Sequence, residues 1–171
     1  DIVSVFRTYI LVYSIVGLFF LYQLALLLGA SSLKSFFLSF FVFTLPFYAY
    51  YQAGFLPSVP SFANLFIGLF FIFQYHLQKK TSGLYLGVFF FALSALARLP
   101  FAVFYISISS VYCYKWYLEK RINLRELLSF SLGLAAIAGY YLYNRYLSST
   151  YGTMFLQDFL PILSLTHLFV V

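Results

Sequence analysis

Leu45-Pro-Phe-Tyr-Ala-Tyr-Tyr-Gln-Ala-Gly-Phe-Leu-Pro-Ser-Val-Pro-Ser61 interrupts a chain that is otherwise almost continuously apolar. Three of the five prolines fall inside it, together with Tyr48, Tyr50 and Tyr51. Proline fixes φ and lacks an N–H, so Pro46 and Pro57 break a helix and Pro60 suits the start of a new one. Within a membrane protein, such backbone is tolerated at the water interface or against a protein-lined cavity. The stretch is therefore expected to be a structured connection facing a working cavity, and the runs on either side decide where that cavity lies.

Working outward, 64% of the 171 residues are hydrophobic and only 8% are charged, with a mean hydropathy of +0.95. Soluble domains carry roughly a quarter charged residues, so this composition reads as an integral membrane protein. The 24 phenylalanines and 17 tyrosines suit lipid-facing surfaces and interfacial belts. The net charge of +6 is scattered between apolar runs and reads as membrane topology, not nucleic-acid affinity. The single Cys113 excludes an internal disulfide, and no Cys/His cluster has metal-ligand spacing. The chain starts at Asp1 and stops inside an apolar run at Val170-Val171, with no signal-peptide pattern. The expectation is a single transmembrane domain over residues 1–171, internal to a longer polytopic protein.

Thr8 to Leu28 is long enough for a span of ~20 residues. A turn at Gly29–Lys34 follows. A second span is expected from Ser35 to about Tyr51, kinked at Pro46, and a third from Phe62 to Gln78. Leu84 to Tyr114 exceeds one ordinary span and is broken at Ala97-Arg-Leu-Pro100, so two short helices should meet there. Lys115 to Arg125 reads as a charged loop with Trp116 and Tyr117 as interface anchors. Leu127 to Leu147 is a further span, Ser148 to Asp158 a polar segment, and Phe159 opens another span. The fold class is thus an all-α transmembrane bundle of about six to seven segments. Alternation puts Lys34, Lys79, Lys80, Lys115, Lys120, Arg121 and Arg125 on one side, and Arg7, Arg98 and Arg145 on the other. The positive-inside bias makes the first side cytoplasmic. Gly83-x-x-x-Gly87 and Ala135-x-x-x-Gly139 carry the small-residue spacing that lets helices pack closely.

Chemistry-bearing residues are few. Arg98 closes a short apolar helix at the outer side, with no acid within a few positions. Its rigid fork of donors suits a lipid phosphate or pyrophosphate, and it equally suits snorkelling to headgroups. Arg7 and Arg145 flank their spans. Asp1 and Asp158 are outer and Glu119 and Glu126 inner, and no pair of them forms an acid–base site. Asp158, ahead of Phe-Leu-Pro161, also fits a helix N-terminus. His76 borders the Lys79-Lys80 pair, and His167 falls in an expected span. There is no Ser-His-Asp arrangement, phosphate loop or nucleic-acid patch.

Two motifs carry a family resemblance. Pro46-Phe-Tyr-Ala-Tyr-Tyr-Gln-Ala-Gly-Phe-Leu-Pro-Ser-Val-Pro-Ser-Phe-Ala63 precedes a span ending in basic residues, and a short helix then closes with Leu93-Ser-Ala-Leu-Ala-Arg-Leu-Pro100. This order resembles the middle of the protein-mannosyltransferase-like (GT39-type) members of the GT-C superfamily of polyprenyl-phosphate-sugar-dependent glycosyltransferases. Those proteins often carry Leu-Pro-Asp-x-x-Ala on the outer face and Leu-x-x-Leu-(Lys/Arg)-x-Pro at a helix end. Arg7 and Tyr151-Gly-Thr-Met-Phe-Leu-Gln-Asp-Phe-Leu-Pro161 also resemble features of the family. Ser58 stands where the family commonly has an aspartate.

The resemblance implies a GT-C-like fold in a multi-pass protein of the bacterial plasma (inner) membrane. It implies transfer of a hexose, with inversion, from a polyprenyl-phosphate-linked donor to a lipid, glycan or protein acceptor at the outer face. The family's catalytic aspartate, in an earlier outer loop, is expected upstream of Asp1, so no catalytic residue is assigned here. The substrate-binding residues it implies are Arg98, Arg7, Tyr48, Tyr51, Ser58 and Asp158. No cofactor is certain; a divalent metal is possible in the full-length family. Membrane lipids are expected partners, and nucleic acid is not. The alternative is a transporter or flippase subunit for a lipid-linked or small solute, because broken helices mark such sites.

Overall fold

The computed structural model describes residues 2–46, 48 and 58–151. Among these residues the protein is all helical, with six helices and no strand: α1 (Ile2–Leu27), α2 (Ser32–Thr44), α3 (Ser58–Gln78), α4 (Thr81–Ala97), α5 (Ala102–Glu119) and α6 (Leu124–Tyr151). A 3-10 turn at Leu99–Phe101 joins α4 to α5. Segments of α1, α3 and α6 (Ser4–Leu27, Ser58–Gln78 and Leu124–Thr150) are long and apolar enough to cross a membrane. The surface fits that solvent, because the outward faces carry large apolar side chains such as Phe19, Phe37, Phe89 and Leu132.

Each boundary has a local cause. α1 closes on Gly29, whose φ of +88° is the left-handed turn glycine makes without a Cβ penalty. Gly29 N donates to Leu26 O and Ala30 N to Ala25 O, the paired bonds of a Schellman end. Ser31 caps α2 by accepting from Lys34 N at 3.5 Å. The second expected span breaks next to its proline: α2 ends at Thr44, Pro46 and Tyr48 are again helical, and the rest of the stretch to Tyr51 lies outside the described residues. Leu45 precedes Pro46 and is pushed to ψ 128°, out of the helical region. α3 tolerates Pro60 because first-turn N–H groups have no intrahelical acceptor. The Asn123 side chain accepts from Arg125 N at 3.1 Å and starts α6.

Packing partners fix the helix directions. Along α1 and α3, Ile10 clusters with Val59, Gly17 abuts Ala63, and Phe20 meets Phe70 and Phe71, so these two helices run parallel. Along α3 and α4 the pairs are Ser61 with Ser94, Gly68 with Phe91, and Tyr75 with Gly83, an antiparallel contact. Likewise Tyr105 bonds to Phe130 O and Trp116 to Glu126, so α5 and α6 are antiparallel. The Arg98 turn and the start of α3 therefore share one end of the bundle. The Lys79-Lys80 turn and the Lys120–Asn123 turn share the other.

Gly83 and Gly87 carry the close approach their spacing suggests. A Cβ on Gly83 would lie 2.7 Å from Phe71 O, and one on Gly87 2.6 Å from Ile72 Cγ1. The Ala135/Gly139 pair differs: both residues face outward on α6, and a Cβ on Gly139 would meet nothing within 4 Å. The expected loop at Lys115–Arg125 is shorter than the sequence suggests, because α5 continues to Glu119. Trp116 is buried instead of anchoring at an interface, whereas Tyr117 is 79% exposed. The polar segment expected from Ser148 begins as the last turn of α6, and the span expected from Phe159 lies outside the described residues.

Candidate functional site at the Arg98 end

Ser58, Ser61 and Asn64 recur every three residues along α3, so they share one stripe of that helix. α4 answers with Ser94 and, one turn on at its C-cap, Arg98. The Ser94 hydroxyl donates to Ser61 O at 2.7 Å. The Arg98 guanidinium donates to the Ser58 hydroxyl, across 40 residues of chain. Ser58, Ser61 and Ser94 are fully buried, and Asn64 nearly so; Arg98 is half-buried. The Asn64 side-chain oxygen has no hydrogen-bond partner among the described residues. A hydrophilic seam thus runs from the end of the bundle into the contact between α3 and α4.

Arg98 reaches Ser58 because of the backbone break. Pro100 cannot continue the α4 ladder, and Arg98 turns to an extended φ of −150° before the 3-10 turn. Phe101 N then donates to Arg98 O at 2.9 Å and restarts the chain as α5. Phe101 packs edge-on against Phe62 of α3 with ring centres 4.8 Å apart, which holds the break against the same helix.

Of the six substrate-site residues expected from the sequence, the structure joins Arg98 to Ser58 directly. Tyr48 stands near: it clusters with Ile10 and Val59, the residue after Ser58, and its ring faces Phe62 at 6.2 Å. Tyr48 is 4% exposed and its hydroxyl bonds to that of Ser14 at 3.1 Å, so it forms a wall and not an open stacking surface. Arg7 is exposed on α1, one turn before Ile10 at this end. Tyr51 and Asp158 lie outside the described residues.

A second polar cluster, at the opposite end, went unread in the sequence. Glu126, in the first turn of α6, is 1% exposed. Its carboxylate accepts from Tyr75 Oη of α3 at 2.6 Å, Trp116 Nε1 of α5 at 2.7 Å and Lys115 Nζ at 3.2 Å. Lys115 also lies 5.4 Å from the Tyr112 ring centre. One clue was available. An acid ten residues after a Lys-Trp pair, across a tight turn, faces that pair in an antiparallel hairpin; nothing local pointed to Tyr75.

Among the described residues no three His, Cys, Asp or Glu side chains come together, so they offer no ligand set for the divalent metal implied by the resemblance. Both described carboxylates, Glu119 and Glu126, belong to the end opposite Arg98. What the Arg98 end offers is a guanidinium fork and hydroxyls, groups that bind and orient an anion. The chain matches no protein-family model, no curated protein and no solved structure.

Proposed function

We propose that this chain is part of a multi-pass GT-C-type glycosyltransferase of the bacterial plasma membrane, in which Arg98 holds the phosphate of a polyprenyl-phosphate-linked sugar at the outer face. The observation that carries the reading is the Arg98–Ser58 bond. It joins in space the two stretches that resemble the family, the Pro-rich connection and the Leu93–Pro100 helix end. In this reading all six helices cross the bilayer, the seven basic residues of the opposite end face the cytoplasm, and the segment from Phe159 adds a further span.

The role follows from charge. Departure of the lipid phosphate places negative charge on its oxygens, and a pre-positioned guanidinium in a partly dry site stabilises that charge as it forms. Ser58 matters by what it is not. An aspartate there would hold Arg98 in an ion pair; the serine orients the fork through a neutral hydrogen bond. The general base comes from a carboxylate of an earlier outer loop, as the resemblance implies. A transporter reading needs its broken helix near mid-membrane, whereas the Arg-Leu-Pro break sits level with the start of α3.

The test is sugar transfer by the full-length protein in proteoliposomes, supplied with polyprenyl-phosphate hexoses. Arg98→Ala should lower transfer about a hundredfold, the scale of losing one transition-state donor, with unchanged thermal unfolding. Arg98→Lys, which keeps charge but not the fork, should recover only part of the loss. Near-normal transfer by Arg98→Ala would overturn the assignment, and solute uptake without transfer would favour a transporter.

A further inference from the structure

A second site, independent of sugar transfer, lies between α4 and α6. These helices leave a groove of about 520 Å³, walled by α4 from Tyr85 to Leu96 and by α6 from Arg125 to Ala136. Small side chains, Ala92 on one wall and Gly133 and Ala136 on the other, make the room. Along α6 the groove runs eleven residues at about 1.5 Å each, or ~16 Å. That is close to half of a hydrocarbon core ~30 Å thick, the depth of one leaflet.

The groove is apolar except at one end. There Arg125 forms its rim, and Lys80, exposed, is the N-cap of α4, five residues before the groove's α4 wall begins. The neighbouring carboxylate does not offset this charge. Glu126 points the other way, into the bundle, where it is satisfied by Tyr75, Trp116 and Lys115. Arg125 makes no ion pair among the described residues. An apolar channel one leaflet deep with a cationic mouth at headgroup level matches one chemistry, an anionic phospholipid. We infer that the α4/α6 groove binds an anionic phospholipid of the leaflet at the basic end, its phosphate on Arg125 and an acyl chain along the groove.

The occupant is a lipid and not free phosphate, because most of the lining is hydrocarbon that only a chain can cover. The full-length protein, purified in mild detergent, is incubated with phosphatidylglycerol, phosphatidylcholine or inorganic phosphate, and retained ligand is read by native mass spectrometry. One phosphatidylglycerol should stay bound in preference to phosphatidylcholine. Arg125→Gln should lower its retention about fivefold, the worth of one basic residue near a lipid surface. Ala136→Phe, on the outward side of α6, should abolish retention by filling the groove. Lipid-free thermal unfolding of both variants should match the parent. Four outcomes would overturn the inference: no retained lipid, equal retention of both lipids, retention indifferent to Arg125→Gln or Ala136→Phe, or binding of inorganic phosphate alone. A groove closed by a second copy or by another helix of the chain would show as the first of these.

Discussion

The two ends of the bundle each hold a charged side chain among hydroxyls and aromatics, and they treat it in opposite ways. At the basic end the Glu126 carboxylate is almost fully enclosed and accepts from three side chains on two other helices. A buried charge costs several kcal/mol unless it is paired and hydrogen-bonded. Glu126 meets that requirement internally, with its lone pairs committed to Tyr75, Lys115 and Trp116. Such a group clamps helices and has little left for a ligand. At the other end Arg98 is half-buried at a helix break, oriented by a neutral serine. One end spends its polarity on the fold; the other, in the proposed reading, turns it toward an anion.

Replacing Glu126 is the hardest blow to this contrast. Glu126→Ala strands the Lys115 ammonium, the Trp116 N–H and the Tyr75 hydroxyl around an empty site, and should cost about 3–5 kcal/mol of stability. Glu126→Gln keeps one acceptor oxygen and should cost clearly less. Thermal or denaturant unfolding in detergent reads both; an Ala variant as stable as the parent would mean that the clamp does not hold the bundle. The hundredfold loss of transfer expected for Arg98→Ala comes next in size, and the contrast requires it to arrive without such a stability change.

Smaller effects separate packed from open faces of α6. A Cβ on Gly133 would come within 2.2 Å of the hydroxyl of fully buried Tyr105, which donates to Phe130 O at 2.7 Å. Gly133→Ala should therefore destabilise by ~1–3 kcal/mol, as overpacking does. Gly139→Ala meets open space and should stabilise by up to ~1 kcal/mol through helix propensity. Matching effects in the two variants would show that α6 packs differently along its length from what its contacts indicate. The fivefold lipid effect at Arg125 is the mildest of the set.

Much of the architecture could be read before any coordinates. Long apolar runs, the prolines and the glycine turn located six helices and the Arg-Leu-Pro break, because those signals are local. The misreadings share one cause. Trp116 looked like an interface anchor because its partner, Glu126, comes ten residues later; the break of the second span falls on Leu45, the residue before Pro46. Ala135 and Gly139 had the spacing for close packing but not the partner. Arg98 and Ser58 were each legible as chemistry-bearing. Their contact was not, since it depends on α3 and α4 pairing antiparallel over 40 residues. The clamp was the least legible, because Tyr75 lies 51 residues from Glu126 and carries no local sign of its role.

The central claim is that Arg98 holds a lipid-linked phosphate, and it can be measured without knowing the sugar or the acceptor. Equilibrium binding of a sugar-free polyprenyl phosphate to the full-length protein in nanodiscs should weaken about tenfold or more in Arg98→Gln, the scale of losing a hydrogen bond from a charged donor. Arg125→Gln, at the opposite end, should bind as the parent does. Equal affinity of Arg98→Gln and the parent, or a loss that follows Arg125 and not Arg98, would contradict the account.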